Sequence, residues 1–285
     1  MRVIVTGGSG KAGRVCVDDL LANGYQVVNV DTVPPPREVC PFVYADLADF
    51  GQAYEALGLV DDRHAGADAI VHLAAIPAPG RATNSVVFKN NILSTYNVFE
   101  AARRLGVKNV VWASSETVLG LPFASPPPYA PVDEEYAGRP ETAYSLSKYL
   151  GEQMAQQFCR WDPDMKIVGL RFSNVMEVGD YGRFPSYDSD ARLRKWNLWG
   201  YIDARDAAQA VRKAIEAPLK GSDVFIIANA DTVMRRNNAD LMAEVFPGVP
   251  LKEGTGAHDT LLSIEKARRV LGYEPQFSWR RDIKG

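Results

Sequence analysis

Three cysteines in 285 residues are too few and too scattered for a disulfide framework. Cys16, Cys40 and Cys159 are odd in number, and no Cys-x-x-Cys pair suggests a zinc site, so a reducing compartment is expected and no metal. Long apolar runs are missing as well. Nothing reaches the length of a membrane-spanning helix, and Met1-Arg2-Val3-Ile4-Val5 is too short an apolar start for a signal peptide. A basic excess is also lacking. The net charge of −3, with tyrosines and tryptophans not interleaved with a basic stripe, argues against nucleic-acid binding. There are no internal repeats, and the runs Pro34-Pro35-Pro36 and Pro126-Pro127-Pro128 read as loops. What remains is the composition of a globular cytoplasmic protein, 46% hydrophobic and 24% charged, long enough for one large α/β domain or a main domain with a small second lobe.

The first informative stretch is Val3-Ile4-Val5 followed by Thr6-Gly7-Gly8-Ser9-Gly10-Lys11-Ala12-Gly13 and an amphipathic stretch from Arg14 to Asn23. This reads as strand, glycine turn and helix, stopped at Gly24; a second strand from Gln26 to Val30 then ends on Asp31. A glycine turn feeding a helix N-terminus brings backbone N–H groups and the positive dipole end to a pyrophosphate. An acid about 20 residues on accepts from ribose hydroxyls and disfavours a phosphate on that ribose, so NAD is expected over NADP. Lys11, Arg14 and Arg37 pull the other way, since each could meet such a phosphate. A mononucleotide loop does not fit: Ala12 follows Lys11 where Ser or Thr is needed, and Val5 stands at the first glycine position.

Further strands are expected at Phe42–Ala45, closing on Asp46-Leu47, at Ala69–Ala75, at Val107–Ala113 and at Lys166–Arg171. His72 reads as a hydrogen-bonded core histidine. A long helix runs from Thr83 to Leu105, and another from about Glu141 to Arg160 carries Tyr144 and Lys148 on one face. A free phenol ionises near pH ~10; bringing it to about 7 needs roughly 4 kcal/mol, much of which a nearby cation can supply. Residues 175–201, rich in Gly, Tyr, Trp and charge, read either as a lid over a polar substrate or as a solvated loop packing Trp196 and Trp199 inward. Ile202–Ala217 reads as a helix, Val224–Ile227 as a strand, and Asn238–Phe246 and Ser263–Leu271 as helices. The regular alternation predicts an α/β doubly wound parallel sheet.

Thr6-Gly7-x-x-Gly10-x-x-Gly13, Asp31, Asp46-Leu47, His72-Leu73-Ala74-Ala75, Ser114-Ser115-x-x-Val118-x-Gly120, Tyr144-x-x-x-Lys148 and Arg171-Phe172-x-Asn174-Val175 occur in the order seen in extended short-chain dehydrogenase/reductases. The chain resembles the NAD-dependent epimerase/dehydratase family over nearly its whole length. The resemblance implies a Rossmann fold, an NAD-binding domain at 1–174 and a small, mainly substrate-binding lobe at 175–285 with some elements returning to the main sheet. It implies Ser115, Tyr144 and Lys148 as catalytic residues. By position it places the cofactor against Gly7, Ser9, Gly10, Lys11 and Gly13, then Asp31, Asp46 and Leu47, then Leu73, Ala74, Ala75 and Asn91, and finally Tyr144, Lys148 and Phe172. Glu116, Thr117, Asn174, Arg183 and Trp196 are the substrate candidates.

Departures from the pattern narrow the substrate. One of the two acids that dehydratases carry after the catalytic Thr is missing, because Glu116-Thr117 follows Ser115. Met176-Glu177-Val178-Gly179 replaces the Tyr-Gly-Pro usual in nucleotide-sugar epimerases, and Leu119 replaces a tyrosine. The expectation is therefore an NAD-dependent oxidoreductase acting on a secondary alcohol of a sugar or sugar derivative, as a sugar or uronate dehydrogenase or an epimerase. A UDP-sugar 4-epimerase and a non-catalytic NAD(H)-sensing protein are the alternatives. A homodimer through the helices from Thr83 and Glu141 is implied by the same resemblance.

Overall fold

Val3 and Val5 pack against one layer of helices and Ile4 against the other, the period-two alternation of a strand with both faces covered. That strand, β1 (Arg2–Thr6), lies inside a seven-stranded parallel sheet. Its companions are β2 (Gln26–Asp31), β3 (Phe42–Tyr44), β4 (Ala69–His72), β5 (Asn109–Ser115), β6 (Lys166–Phe172) and β7 (Gly221–Ile227). Their spatial order is β7-β6-β5-β4-β1-β2-β3, a doubly wound sheet as expected. The computed structural model describes residues 1–60 and 64–283. No helix among them is long and apolar enough to cross a membrane.

One face is covered by α1 (Lys11–Ala22) and α5 (Ala204–Glu216), the other by α2 (Phe50–Gly58), α3 (Asn84–Leu105) and α4 (Ala143–Trp161). The second layer is anchored by Phe99, whose ring meets Trp112 and Phe158 edge-on, both at 5.7 Å. Gly151 lets α4 settle onto this layer, because a Cβ there would lie 2.6 Å from the Trp112 ring. α6 (Asn238–Val245), α7 (Glu265–Leu271) and α8 (Trp279–Asp282) complete the C-terminal part.

Several boundaries differ from the sequence expectation. β4 ends at His72, so Leu73, Ala74 and Ala75 are loop. Ile202-Asp203 is a short strand paired with Val175-Met176, and α5 starts only at Ala204, capped by the Asp203 carboxylate. Residues 178–189 and 191–197 form two 3₁₀ stretches, which leave no periodicity for a sequence reading to find. Leu198 and Trp199 follow in the left-handed region, at φ 52° and 55°. Trp199 is held there by full burial, an edge contact with Phe246 at 5.9 Å and an Nε1–H bond to the Ala191 carbonyl. Trp199 thus packs inward, whereas Trp196 lines a cavity.

Candidate active site

In open α/β sheets ligands sit at the carboxyl edge, where successive connections diverge to opposite faces; here that point lies between β1 and β4. The turn after β1 is tight enough to admit only glycine at its end, since a Cβ at Gly13 would stand 2.0 Å from the Gly7 carbonyl oxygen. α1 then begins with no side-chain cap and no acid in its first turn, and Lys11, Ala12 and Gly13 border a cavity of about 1080 Å³. Unpaired N–H groups and a positive dipole end therefore meet that cavity, the arrangement a pyrophosphate requires.

Asp31 closes the same end. Its carboxylate accepts from Ser9 N–H at 3.1 Å, Thr32 N–H at 2.7 Å and Val33 N–H at 3.3 Å, which fixes it at the cavity wall. The three cations that favoured NADP in the sequence are all engaged elsewhere: Lys11 with Asp180 at 2.7 Å, Arg14 with Glu177 at 2.8 Å and Arg37 with Asp18 at 3.1 Å. Asp46 lines the wall with Leu47, and its Oδ1 accepts from Ala48 N–H; α2 is capped by the Asp49 carboxylate. Leu73, Ala74, Ala75 and Phe172 also line the cavity.

The other end gathers the chemistry. β5 delivers Ser115, whose hydroxyl accepts from Thr117 N–H at 3.2 Å and Thr117 Oγ1 at 3.0 Å. α4 delivers Tyr144 and Lys148, and its start is fixed by a capping box in which Thr142 and Ser145 each accept the other's N–H. Lys148 Nζ donates to the Ala113 carbonyl at 2.7 Å and lies 5.8 Å from the centre of the Tyr144 ring. Both side chains are buried.

That burial reverses one expectation. The phenol of Tyr144 is pushed up to about 12, by burial first and by the Glu116 carboxylate beside it, with a hydrogen bond from Ser115 opposing. Lys148 is brought down to about 8, also by burial. Proximity to one ammonium does not offset the loss of water around the phenolate. His72 behaves as expected of a core histidine: it sits under this floor, hydrogen-bonded to Thr6 Oγ1 at 2.8 Å, and burial lowers it to about 3.

Two candidates are placed elsewhere. Asn91 does not line the cavity. Its amide both donates to and accepts from the backbone of Ile76, at 3.0 and 2.8 Å, and so holds the loop after β4; the neighbouring Asn90 lines the wall. Arg183 is exposed and bound to Asp180 at 2.7 Å, away from the cavity. Glu116, Thr117, Asn174 and Trp196 do line it. Sequence reasoning missed Thr142, Ser173 and Arg81 at the wall; the Thr-x-x-Ser interval at 142–145 was the one available signal.

The NAD dependent epimerase/dehydratase family matches residues 3–228. The chain is 30% identical over 283 residues to the L-arabinose 1-dehydrogenase (NAD(P)(+)) of Haloferax volcanii, covering 96% of both proteins. It is 33% identical over 184 residues to UDP-glucose 4-epimerase 2 of Oryza sativa subsp. japonica, and that match spans 60% of this chain but only 44% of the epimerase. Among solved structures, a mutated uronate dehydrogenase superposes with a TM-score of 0.70 at 26% identity, over 99% of this chain and 85% of that one. The chain belongs to the NAD dependent epimerase/dehydratase family and is an NAD-dependent enzyme of that family.

Proposed function

We propose that the protein is a sugar dehydrogenase that removes hydride from a secondary alcohol carbon and releases NADH with the product. The observation that carries this is the convergence of Ser115, Tyr144 and Lys148 on one cavity with the glycine turn and Asp31. Ser115 and Tyr144 both address the substrate oxygen, Tyr144 moves its proton, and Lys148 supplies positive charge beneath the ring. NAD, when bound, supplies the hydride acceptor and a second positive charge near the phenol. We assign residues 1–174 to the cofactor and 175–285 mainly to the substrate; Val175 and Trp196 at the cavity wall support the second assignment, while β7 pairs with the main sheet. An epimerase built on the same groups keeps its cofactor. Purified protein supplied with NAD and a panel of neutral sugars, uronic acids and UDP-sugars separates the two: NADH accumulates in the first case, and sugar is converted without it in the second. A non-catalytic NAD(H) sensor would show neither.

NAD is expected to outperform NADP by about 100-fold or more in kcat/KM, the several kcal/mol that burying a phosphate against a carboxylate costs. The ion pairs of Lys11 and Arg14 are exposed and individually weak, so Asp31 is the decisive group. Asp31→Ala should cut the preference at least about tenfold; an unchanged ratio would remove Asp31 from the cofactor site.

We also propose a cytoplasmic homodimer. The three unpaired cysteines suit a reducing compartment. Val86, Tyr96, Leu146 and Trp161 leave apolar side chains 39–53% exposed along α3 and α4, a surface suited to a second copy. Light scattering at micromolar concentration should give about twice the 31.3 kDa chain mass; a 31.3 kDa particle would contradict the dimer.

A further inference from the structure

Glu116 is a buried carboxyl at the cavity wall for which hydride transfer has no obvious use. It directly follows Ser115, is 3% exposed, and accepts from Ser173 Oγ at 2.6 Å and from Asn197 Nδ2 at 3.1 Å. It forms no ion pair among the described residues. The guanidinium nearby, Arg194, is buried behind the wall and points elsewhere: Nη1 donates to Asn174 Oδ1 at 3.2 Å, Nη2 to the Gly200 carbonyl at 2.8 Å, and its Cζ lies 4.6 Å from the Trp196 ring centre.

This leaves a specific set of groups toward the substrate. A carboxylate offers about four lone-pair sites, of which Ser173, Asn197 and the Asn174 backbone N–H take three. Asn174 has its oxygen occupied by Arg194, so its NH₂ group is what it can offer a ligand. Trp196 adds an aromatic face. Acceptor, amide donor and apolar face together suit hydroxyls and the C–H side of a sugar ring. Among the described residues, a second carboxylate would meet Glu116 with no cation free to compensate it at that wall; Arg81, which borders this cavity along with Lys11 and Lys148, is exposed on the loop after β4.

We propose that Glu116 is a specificity-determining residue that accepts a hydrogen bond from a hydroxyl beside the reacting carbon, so that neutral sugars are taken and uronates are turned away. This rests on the sugar-dehydrogenase reading and narrows its substrate class. The groups facing Glu116 are Tyr144 from α4, Arg194 and Asn197 from the 191–197 stretch, and Ser173 with the Asn174 backbone N–H after β6. Burial lifts Glu116 to about 7 against the lowering effect of Ser173, Asn197 and Arg194. Below that pH the carboxyl is neutral and repels an anion little; above it, the charge is present and the exclusion is full.

The test is the ratio of kcat/KM for a neutral sugar to that for the matching uronate, such as galactose against galacturonate. The ratio should rise about tenfold between pH 6 and 8 in the native enzyme, following the ionised fraction of one carboxyl. Glu116→Gln, with NADH binding retained as evidence of folding, should lower the ratio at pH 8 about tenfold and flatten the profile. Ser173→Ala removes a donor that holds the carboxylate charged, so it should move the midpoint to higher pH. A ratio and profile unmoved in Glu116→Gln overturn the assignment while leaving the dehydrogenase intact. No oxidation of any sugar by the native enzyme overturns the underlying reading, and the assignment with it.

Discussion

Tyr144→Phe is expected to lower kcat/KM for sugar oxidation by about 10²–10⁴-fold, the usual worth of a positioned proton-transfer group, while NADH binds as before. The phenol is buried beside Ser115, so its hydroxyl is the group able to exchange a proton with an oxygen seated against both. Phenylalanine keeps the ring packing and the distance to Lys148 and removes only that hydroxyl. The pH dependence gives a second readout. With the phenol pushed up to about 12 in the free enzyme, it is protonated at neutral pH and poised to donate; oxidation needs the opposite state. Oxidation by the native enzyme should therefore accelerate as pH rises through the neutral range, whereas the reverse reduction should not. The variant should lose that acceleration. A variant as fast as the native enzyme would show that another group carries the proton.

The parts of this site legible in the sequence are those whose chemistry depends on local intervals. The glycine turn, α1 and Asp31 follow from one strand–turn–helix pattern, and Tyr144 and Lys148 share a face because helical geometry requires it. What could not be read depends on long-range burial. The sign of the Tyr144 shift is decided by water excluded by distant segments, not by the lysine four residues away. Asn91 has the right position but spends its amide on Ile76, a contact that exists only once α3 packs beside the loop after β4. Arg183 and Arg194 are alike in the sequence; the fold sends one to solvent beside Asp180 and buries the other against Asn174. The 3₁₀ stretches that carry them follow no periodic pattern.

Removing the Glu152 carboxylate should cost about 3–5 kcal/mol of stability, the penalty for leaving a buried charge without its partner. Glu152 lies eight residues beyond Tyr144 and four beyond Lys148, on the same face of α4. It accepts from Arg171 Nε at 2.9 Å and Nη2 at 2.8 Å, a fork held with the two side chains only 6% and 4% exposed, and from Ser114 Oγ at 2.6 Å. One carboxylate therefore ties α4 to the ends of β5 and β6, immediately behind the residues that carry Ser115, Tyr144 and Phe172. Glu152→Ala should lower Tm by roughly 6–20 °C, taking about 2–4 °C per kcal/mol for a chain of this size. A shift below about 3 °C would mean that water reaches Arg171 and solvates it. The double variant Glu152→Leu with Arg171→Met separates stability from placement. Apolar side chains of similar volume avoid the cost of desolvating two charges, so most of the lost Tm should return. Activity should not return with it, because the fork also fixes the direction and height of α4 over the sheet, and a misplacement of about 1 Å at the reacting groups can cost about 10²-fold. If activity recovers together with Tm, the pair only fills space; if Tm alone recovers, the pair aims the tyrosine.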